Sequence, residues 1–131
     1  MADARFRRKR FLVESTDEAI VEVPFGFTIN GTSNPDTLVG DSIVSATLDE
    51  TGEVSITLRE KPAVCFFAKA DVSVVADDVD IYARCDWSDT VANGIVKIRF
   101  MTGATQTNPT DNTLVGGIVY TKKTTRAARR A

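Results

Sequence analysis

The sequence contains no histidine, only two cysteines and one tryptophan among 131 residues. Histidine is the usual general base near neutral pH and the commonest metal ligand, so its absence removes the easiest part of most enzyme mechanisms. Cys65 and Cys85 lie far apart in the chain, form no CxxC pair, and have no histidine to complete a zinc site or a catalytic dyad. We therefore expect no enzymatic activity, no metal and no cofactor.

The cysteines and the lack of long apolar runs also indicate the cellular compartment in which the protein is made. We expect Cys65 and Cys85 to be buried, reduced thiols, with a disulfide as the alternative. The basic residues 5–10 are followed by only three apolar residues before Glu14, which is too short for the apolar core of a signal peptide. No run approaches the ~20 apolar residues that cross a bilayer. The sequence favours assembly in the cytosol and predicts no contact with a membrane.

The net charge of −2 conceals a strong separation of charge along the chain. Residues 1–10 carry five basic side chains and one acidic one, and residues 121–131 carry five basic and no acidic side chains. Residues 11–120 carry six basic and 17 acidic side chains, so the ends have a net charge of +9 and the body one of −11. We divide the chain into a basic N-terminal arm (1–18), one folded domain (19–121) and a basic C-terminal arm (122–131).

The basic arms have two interpretations. Blocks of like charge can be solvated tails or nucleic-acid contacts. Alternatively, each arm docks on an acidic surface of a neighbouring subunit, with phenylalanines as apolar anchors. We favour docking and predict that the residues that bind a partner are Arg5, Phe6, Arg7, Arg8, Lys9, Arg10, Phe11, Lys122, Lys123, Arg126, Arg129 and Arg130.

Hydrophobic and polar side chains alternate along much of the body, which is typical of half-buried β-strands. The pattern predicts strands at 19–27, 42–48, 54–58, 63–75, 79–87, 96–101 and 113–121, with a bulge in the long fourth stretch. Residues 30–40 and 102–112 are predicted surface loops, and only residues 124–130 could form a helix. The expected fold is all-β, an antiparallel β-sandwich or small barrel of about seven strands. Its predicted core includes Val54, Ile56, Leu58, Ile81, Trp87, Ile98 and Phe100.

Short polar and glycine motifs are read as structural. The segment 49–52 (DETG) predicts a hairpin turn in which Gly52 takes a positive φ. Gly116 and Gly117 lie inside the last strand and indicate a bulge or a close backbone approach rather than a phosphate site. The acidic cluster Asp77, Asp78 and Asp80 lacks a calcium-loop pattern, so we expect no metal there.

Three stretches in the second half of the chain carry a resemblance to a known family. They are the hairpin IVSATLDETGEVSITLREK (43–61), the strand DIYARCDW (80–87) and the segment GIVKIRFMTGATQTNPTDNTLVGGIVYTKK (94–123). The hairpin fits the pattern S-x-T-x4-G-x5-L, and the last loop has Gly103-Ala104, Pro109, Asp111 and Asn112. Over residues 42–121 the chain resembles the small β-sandwich capsid decoration (cement) proteins of tailed bacteriophages.

The resemblance implies a non-enzymatic structural role. It suggests a subunit on the capsid exterior of the virion, made in the host cytoplasm, that binds the major capsid protein across neighbouring capsomers and stabilises the head. It also implies a homo-oligomer, most commonly a trimer. A tail or baseplate subunit would share the fold, and a nucleic-acid-binding domain with basic tails is the alternative from another class, although the acidic body argues against it.

Overall fold

The structure is a computed structural model that describes residues 10–11, 20–73 and 80–123. These residues form ten strand segments and one short helix. The elements are β1 (Arg10–Phe11), β2 (Ile20–Asn30), β3 (Ser33–Val39), β4 (Ile43–Leu48), β5 (Val54–Leu58), β6 (Val64–Val72), β7 (Ile81–Asp86), α1 (Thr90–Asn93), β8 (Ile95–Thr102), β9 (Thr105–Gln106) and β10 (Leu114–Lys122).

The strands form two antiparallel sheets that pack face to face. Sheet I has the order β1-β2-β10-β6, with β3 also paired to β2, and sheet II has the order β4-β5-β8-β7, with β9 also paired to β8. At the two sides of the molecule, β6 packs beside β7 and β3 beside β4. The predicted all-β antiparallel sandwich is confirmed, while the predicted count of about seven strands is too low.

The core lies between the sheets and is built from alternate residues of each strand. In β5 and β8 the inward residues are almost completely buried: Val54, Ile56, Leu58, Val96, Ile98 and Phe100. The inward residues of β2 complete the opposite wall: Val21, Val23, Phe25, Phe27 and Ile29. Full burial of each such side chain contributes about 1.5–3 kcal/mol relative to exposure, which explains why the period-2 pattern determines these strands.

The predicted turn at 49–52 joins β4 to β5 as expected. Gly52 has a φ of 93°, and the Asp49 carboxylate accepts hydrogen bonds from the backbone N–H groups of Thr51 (2.9 Å) and Glu53 (3.0 Å). The Thr51 hydroxyl also donates to this carboxylate at 2.7 Å. This hydroxyl bond, helped by the backbone donors, holds the pKa of Asp49 below its ordinary value.

The predicted surface loop at 30–40 is wrong for most of its length, because residues 33–39 form β3. Only part of β3 pairs with β2, and the register shifts twice along the pair. Six of its seven residues are exposed, and only Pro35 is buried. A one-sided, irregular edge strand does not produce the alternation that identifies buried strands.

The prediction that Trp87 belongs to the core is also wrong, since Trp87 is 37% exposed. Strand β7 ends at Asp86, and the chain turns at residues 88 and 89, where the Asp86 carboxylate accepts the Ser88 N–H at 2.9 Å. Ile81 packs against the core while partly buried. The helix α1, which follows this turn, was not predicted, and residues 124–130 lie outside the described residues.

Candidate interaction surfaces

The described part of the predicted basic arms lies at one end of sheet I. In β1, Arg10 pairs with Val21 and Phe11 with Ile20. On the other side of β2, Ile20 pairs with Lys122, the last residue of β10. Two strand spacings, about 10 Å, therefore separate the backbones of the N-terminal and C-terminal basic segments. We call this region, residues 10–11 and 122–123, the basic end.

The remaining predicted binding residues lie outside the described residues. They are Arg5, Phe6, Arg7, Arg8, Lys9, Arg126, Arg129 and Arg130. Lys123, which follows β10, is exposed, whereas Lys122 is half-buried and its backbone carbonyl accepts the Ala63 N–H at 3.0 Å. The C-terminal basic segment therefore begins inside the sheet rather than as a separate tail.

A cleft of about 490 Å³ opens between the sheets beside the basic end. Its apolar wall includes Val21, Val23, Leu58 and Pro62, and its charged rim includes Asp41, Arg59, Glu60, Lys61 and Lys123. The Arg59 Nε donates to the backbone carbonyl of Asp41 at 3.0 Å, which fixes one side of the rim. An apolar wall with a charged rim is the arrangement that binds a peptide side chain or loop of a partner.

A second surface feature, which we call the aromatic cluster, consists of Phe67, Trp87 and Tyr120. Phe67 and Tyr120 project from the outer face of sheet I and stack with ring centroids 4.6 Å apart. Trp87 meets Phe67 edge to face at 6.4 Å. Phe67 is 39% exposed and Trp87 is 37% exposed, so aromatic carbon remains accessible to a partner.

A β-bulge in β6 contributes to this cluster. Tyr120 pairs with Phe67 but the next residue, Thr121, pairs with Cys65, so Phe66 is the extra residue. The bulge predicted in this stretch is confirmed. It turns Cys65 toward the core and leaves Phe66 exposed.

The position of Trp87 depends on the helix that follows it. Thr90 is fully buried, and its hydroxyl donates to the carbonyl of Ile95 at 3.0 Å. Thr90 also interacts with the Cys65 thiol of β6, and α1 packs against both β6 and β8. This anchor keeps the Trp87 turn beside Phe67.

The two cysteines are free thiols, as predicted, although both are half-buried rather than fully buried. Burial raises the pKa of the Cys85 thiol to about 11 and also raises the pKa of Cys65. Thiols with raised pKa values are poor nucleophiles at neutral pH.

The acidic cluster predicted to be structural is only partly described. Asp80 is exposed before β7, and Asp77 and Asp78 lie outside the described residues. Within residues 20–73 and 80–123, no group of three or more cysteine, aspartate or glutamate side chains is arranged to hold a metal ion. In the same part of the chain, no helix has the length and apolar character of a membrane span.

Comparisons with protein-family models, with curated proteins and with solved structures found no match to this chain. The resemblance to phage decoration proteins therefore stays a prediction from the sequence motifs. The aromatic cluster was missed by the sequence analysis because its three residues come from separate strands and turns, and no short-range pattern joins them.

Proposed function

We propose that this chain is a non-enzymatic structural protein, a decoration subunit that binds the major capsid protein across neighbouring capsomers of a tailed-phage head. The observation that carries the proposal is the basic end. Segments from opposite ends of an acidic chain meet there on one sheet, next to an open cleft with an apolar wall. A binding protein of this kind needs such a concentrated contact surface and no reactive group.

Energetics support the combination of charge with apolar surface. Ordering one arm residue costs about 1–2 kcal/mol, whereas an exposed ion pair contributes only about 0–1 kcal/mol. Charge alone therefore cannot hold an arm on a partner. Filling the cleft, together with many equivalent contacts on one particle, supplies the additional free energy.

Occupancy on phage heads tests the proposal. Heads of the phage that encodes the chain, stripped of this protein, are mixed with each variant, diluted and pelleted, and the bound copies are counted by quantitative mass spectrometry. One variant carries Arg7→Ala, Arg8→Ala, Lys9→Ala and Arg10→Ala, and the other carries Lys122→Ala and Lys123→Ala. We call these two the basic-end variants. Only side chains are changed at 122 and 123, because the Lys122 backbone pairs with Ile20 and Val64.

The matched control removes positive charge elsewhere. Arg84→Ala with Lys97→Ala takes two basic side chains from the outer face of sheet II. We expect both basic-end variants to lose at least ten-fold in occupancy at about 0.15 M salt. Their difference from the parent should shrink as salt rises, because the exposed ion pairs that only the parent makes are screened over about 8 Å. The control should retain parental occupancy. Equal occupancy for all variants would contradict the role of the basic end.

The convergence of basic segments also favours one second candidate, a nucleic-acid-binding domain. Measuring the affinity of the parent protein for single- and double-stranded DNA at 0.05 and 0.2 M salt separates the two functions. Binding that falls steeply with salt and is abolished in both basic-end variants, without binding to heads, would support the nucleic-acid function instead.

A further inference from the structure

The aromatic cluster is placed where a neighbouring copy could reach it. Phe67 lies on β6 at one edge of sheet I, and Trp87 lies beyond that edge on the turn after β7. The basic N-terminal arm enters the same sheet through β1, at the opposite edge. The two features therefore point to opposite sides of the molecule, which is the arrangement of a head-to-tail contact between identical subunits.

The chemistry of the cluster matches that of the arm. Arginine guanidinium groups stack on the faces of tryptophan, tyrosine and phenylalanine rings, and residues 5–10 contain four arginines, one lysine and Phe6. Arginine and aromatic residues are also the types most enriched at the centres of protein interfaces.

The charges around the cluster are asymmetric. Asp86 and Asp89 flank Trp87 on its turn, and the hydrogen bond from the Ser88 N–H lowers the pKa of Asp86. Lys69 and Lys122 lie two residues from Phe67 and Tyr120 on the outer face of sheet I. Glu22 pairs with Tyr120 across β2 and β10, so an acidic side chain lies beside these lysines. The carboxylates of Asp86 and Asp89 attract a basic segment to the Trp87 side of the cluster.

We propose that residues 5–10 of one copy dock on the aromatic cluster of a second copy, with arginines stacked over Trp87 and Phe67, so that arms are exchanged within a homo-oligomer. The arm of the same chain is a poorer occupant. It starts three strand spacings, about 14 Å, from β6, and residues 5–9 span at most about 17 Å when extended. After crossing the sheet, residues 5–9 would have too little length left to lie along the cluster, whereas the arm of a neighbour can do so.

This inference rests on the proposed function and adds a second partner of the N-terminal arm, another copy of the chain, beside the capsid surface. Sedimentation of the protein without phage heads tests it separately. The arm variant carries Arg5→Ala, Arg7→Ala and Arg8→Ala, and the cluster variant carries Phe67→Ser and Trp87→Ser. The control, Leu38→Ser with Leu114→Ser, changes two apolar residues of similar or greater exposure outside the cluster. Circular dichroism checks that each variant keeps the β-sheet fold.

We expect the parent and the control to associate at 100 µM, and the association constants of the arm and cluster variants to fall at least ten-fold. An equal mixture of those two variants should associate more strongly than either alone, because the intact arm of one fits the intact cluster of the other. A monomeric parent, a control that weakens as much as the cluster variant, or a mixture that behaves like its components would each overturn the proposal.

The single tryptophan provides a direct second readout. A synthetic peptide of residues 1–11 contains no tryptophan, so all tryptophan emission from its mixture with the arm variant comes from Trp87. We expect a saturable change in emission, and at least ten-fold weaker binding for a peptide in which all four arginines are alanine. No change with the parent peptide, or equal affinity for both peptides, would contradict arm docking at the cluster.

Discussion

A pair of adjacent glycines in β10 provides a sharp test of the packing within sheet I. A Cβ atom placed on Gly117 would lie 2.4 Å from the backbone carbonyl oxygen of Lys69 and 2.4 Å from the ring of Phe25. Phe25 is 5% exposed and stacks on Phe27 in the core, so the ring has little space to move. The equivalent Cβ on Gly116 would meet nothing closer than 3.8 Å.

The two alanine substitutions should therefore have opposite effects. Overpacking a well-packed core costs about 1–3 kcal/mol, and Gly117→Ala must displace both a ladder carbonyl and a core ring, so we expect a loss of about 2–3 kcal/mol. Gly116→Ala should be neutral or stabilising by up to about 1 kcal/mol, because alanine loses less backbone entropy than glycine in a strand.

Urea unfolding followed by circular dichroism measures both changes at pH 7. At roughly 4 °C per kcal/mol for a domain of this size, thermal melts should place Gly117→Ala about 8–12 °C below the parent and Gly116→Ala at or above it. Equal stability of the two variants would refute the close approach of β10 to β6 and Phe25.

Three further predictions concern the turns and the buried polar groups. Asp49→Ala should lower the free energy of unfolding at pH 7 by about 1 kcal/mol. Because hydrogen bonds lower the folded-state pKa of Asp49, this difference should shrink as pH falls below the ordinary value of 3.8. A constant difference in urea titrations at pH 7 and pH 2 would contradict it. Cys85, with its pKa raised to about 11, should stay unmodified by iodoacetamide at pH 8 until urea unfolds the protein, as mass spectrometry of peptides would show; rapid labelling of the native protein would be inconsistent with its burial. Thr90→Val should cost about 1–2 kcal/mol because it leaves the carbonyl of Ile95 without its hydroxyl donor, and should shift the emission of Trp87; an unchanged melt and spectrum would remove Thr90 as the anchor of that turn.

The sequence predicted the strands whose alternate residues are buried against a second sheet. The inward faces of β5 and β8 are completely apolar, so burial alone sets their register. The sequence pattern did not predict β3, because an edge strand with one irregular partner buries only Pro35. It also extended the alternation of β7 one residue too far, to Trp87, because the Asx-type turn at Asp86 depends on a local hydrogen bond rather than on hydrophobicity.

The candidate binding surfaces were predicted only in part. The charge of the two ends could be read directly, but their meeting at Ile20 depends on pairing between β2 and β10, which are far apart in the chain. The aromatic cluster depends on the bulge at Phe66 and on α1, and a single extra residue in a strand leaves no clear periodic signal.

The position of the protein on a virus particle distinguishes a decoration subunit of the head from a tail subunit. Cryo-electron microscopy of heads with and without the bound protein gives a difference map at a resolution that separates capsomers. We expect density for the sandwich repeated over the outer surface of the head, bridging adjacent capsomers, with the basic end facing the capsid. Density confined to the tail, or no difference between the two maps at saturating protein, would contradict it.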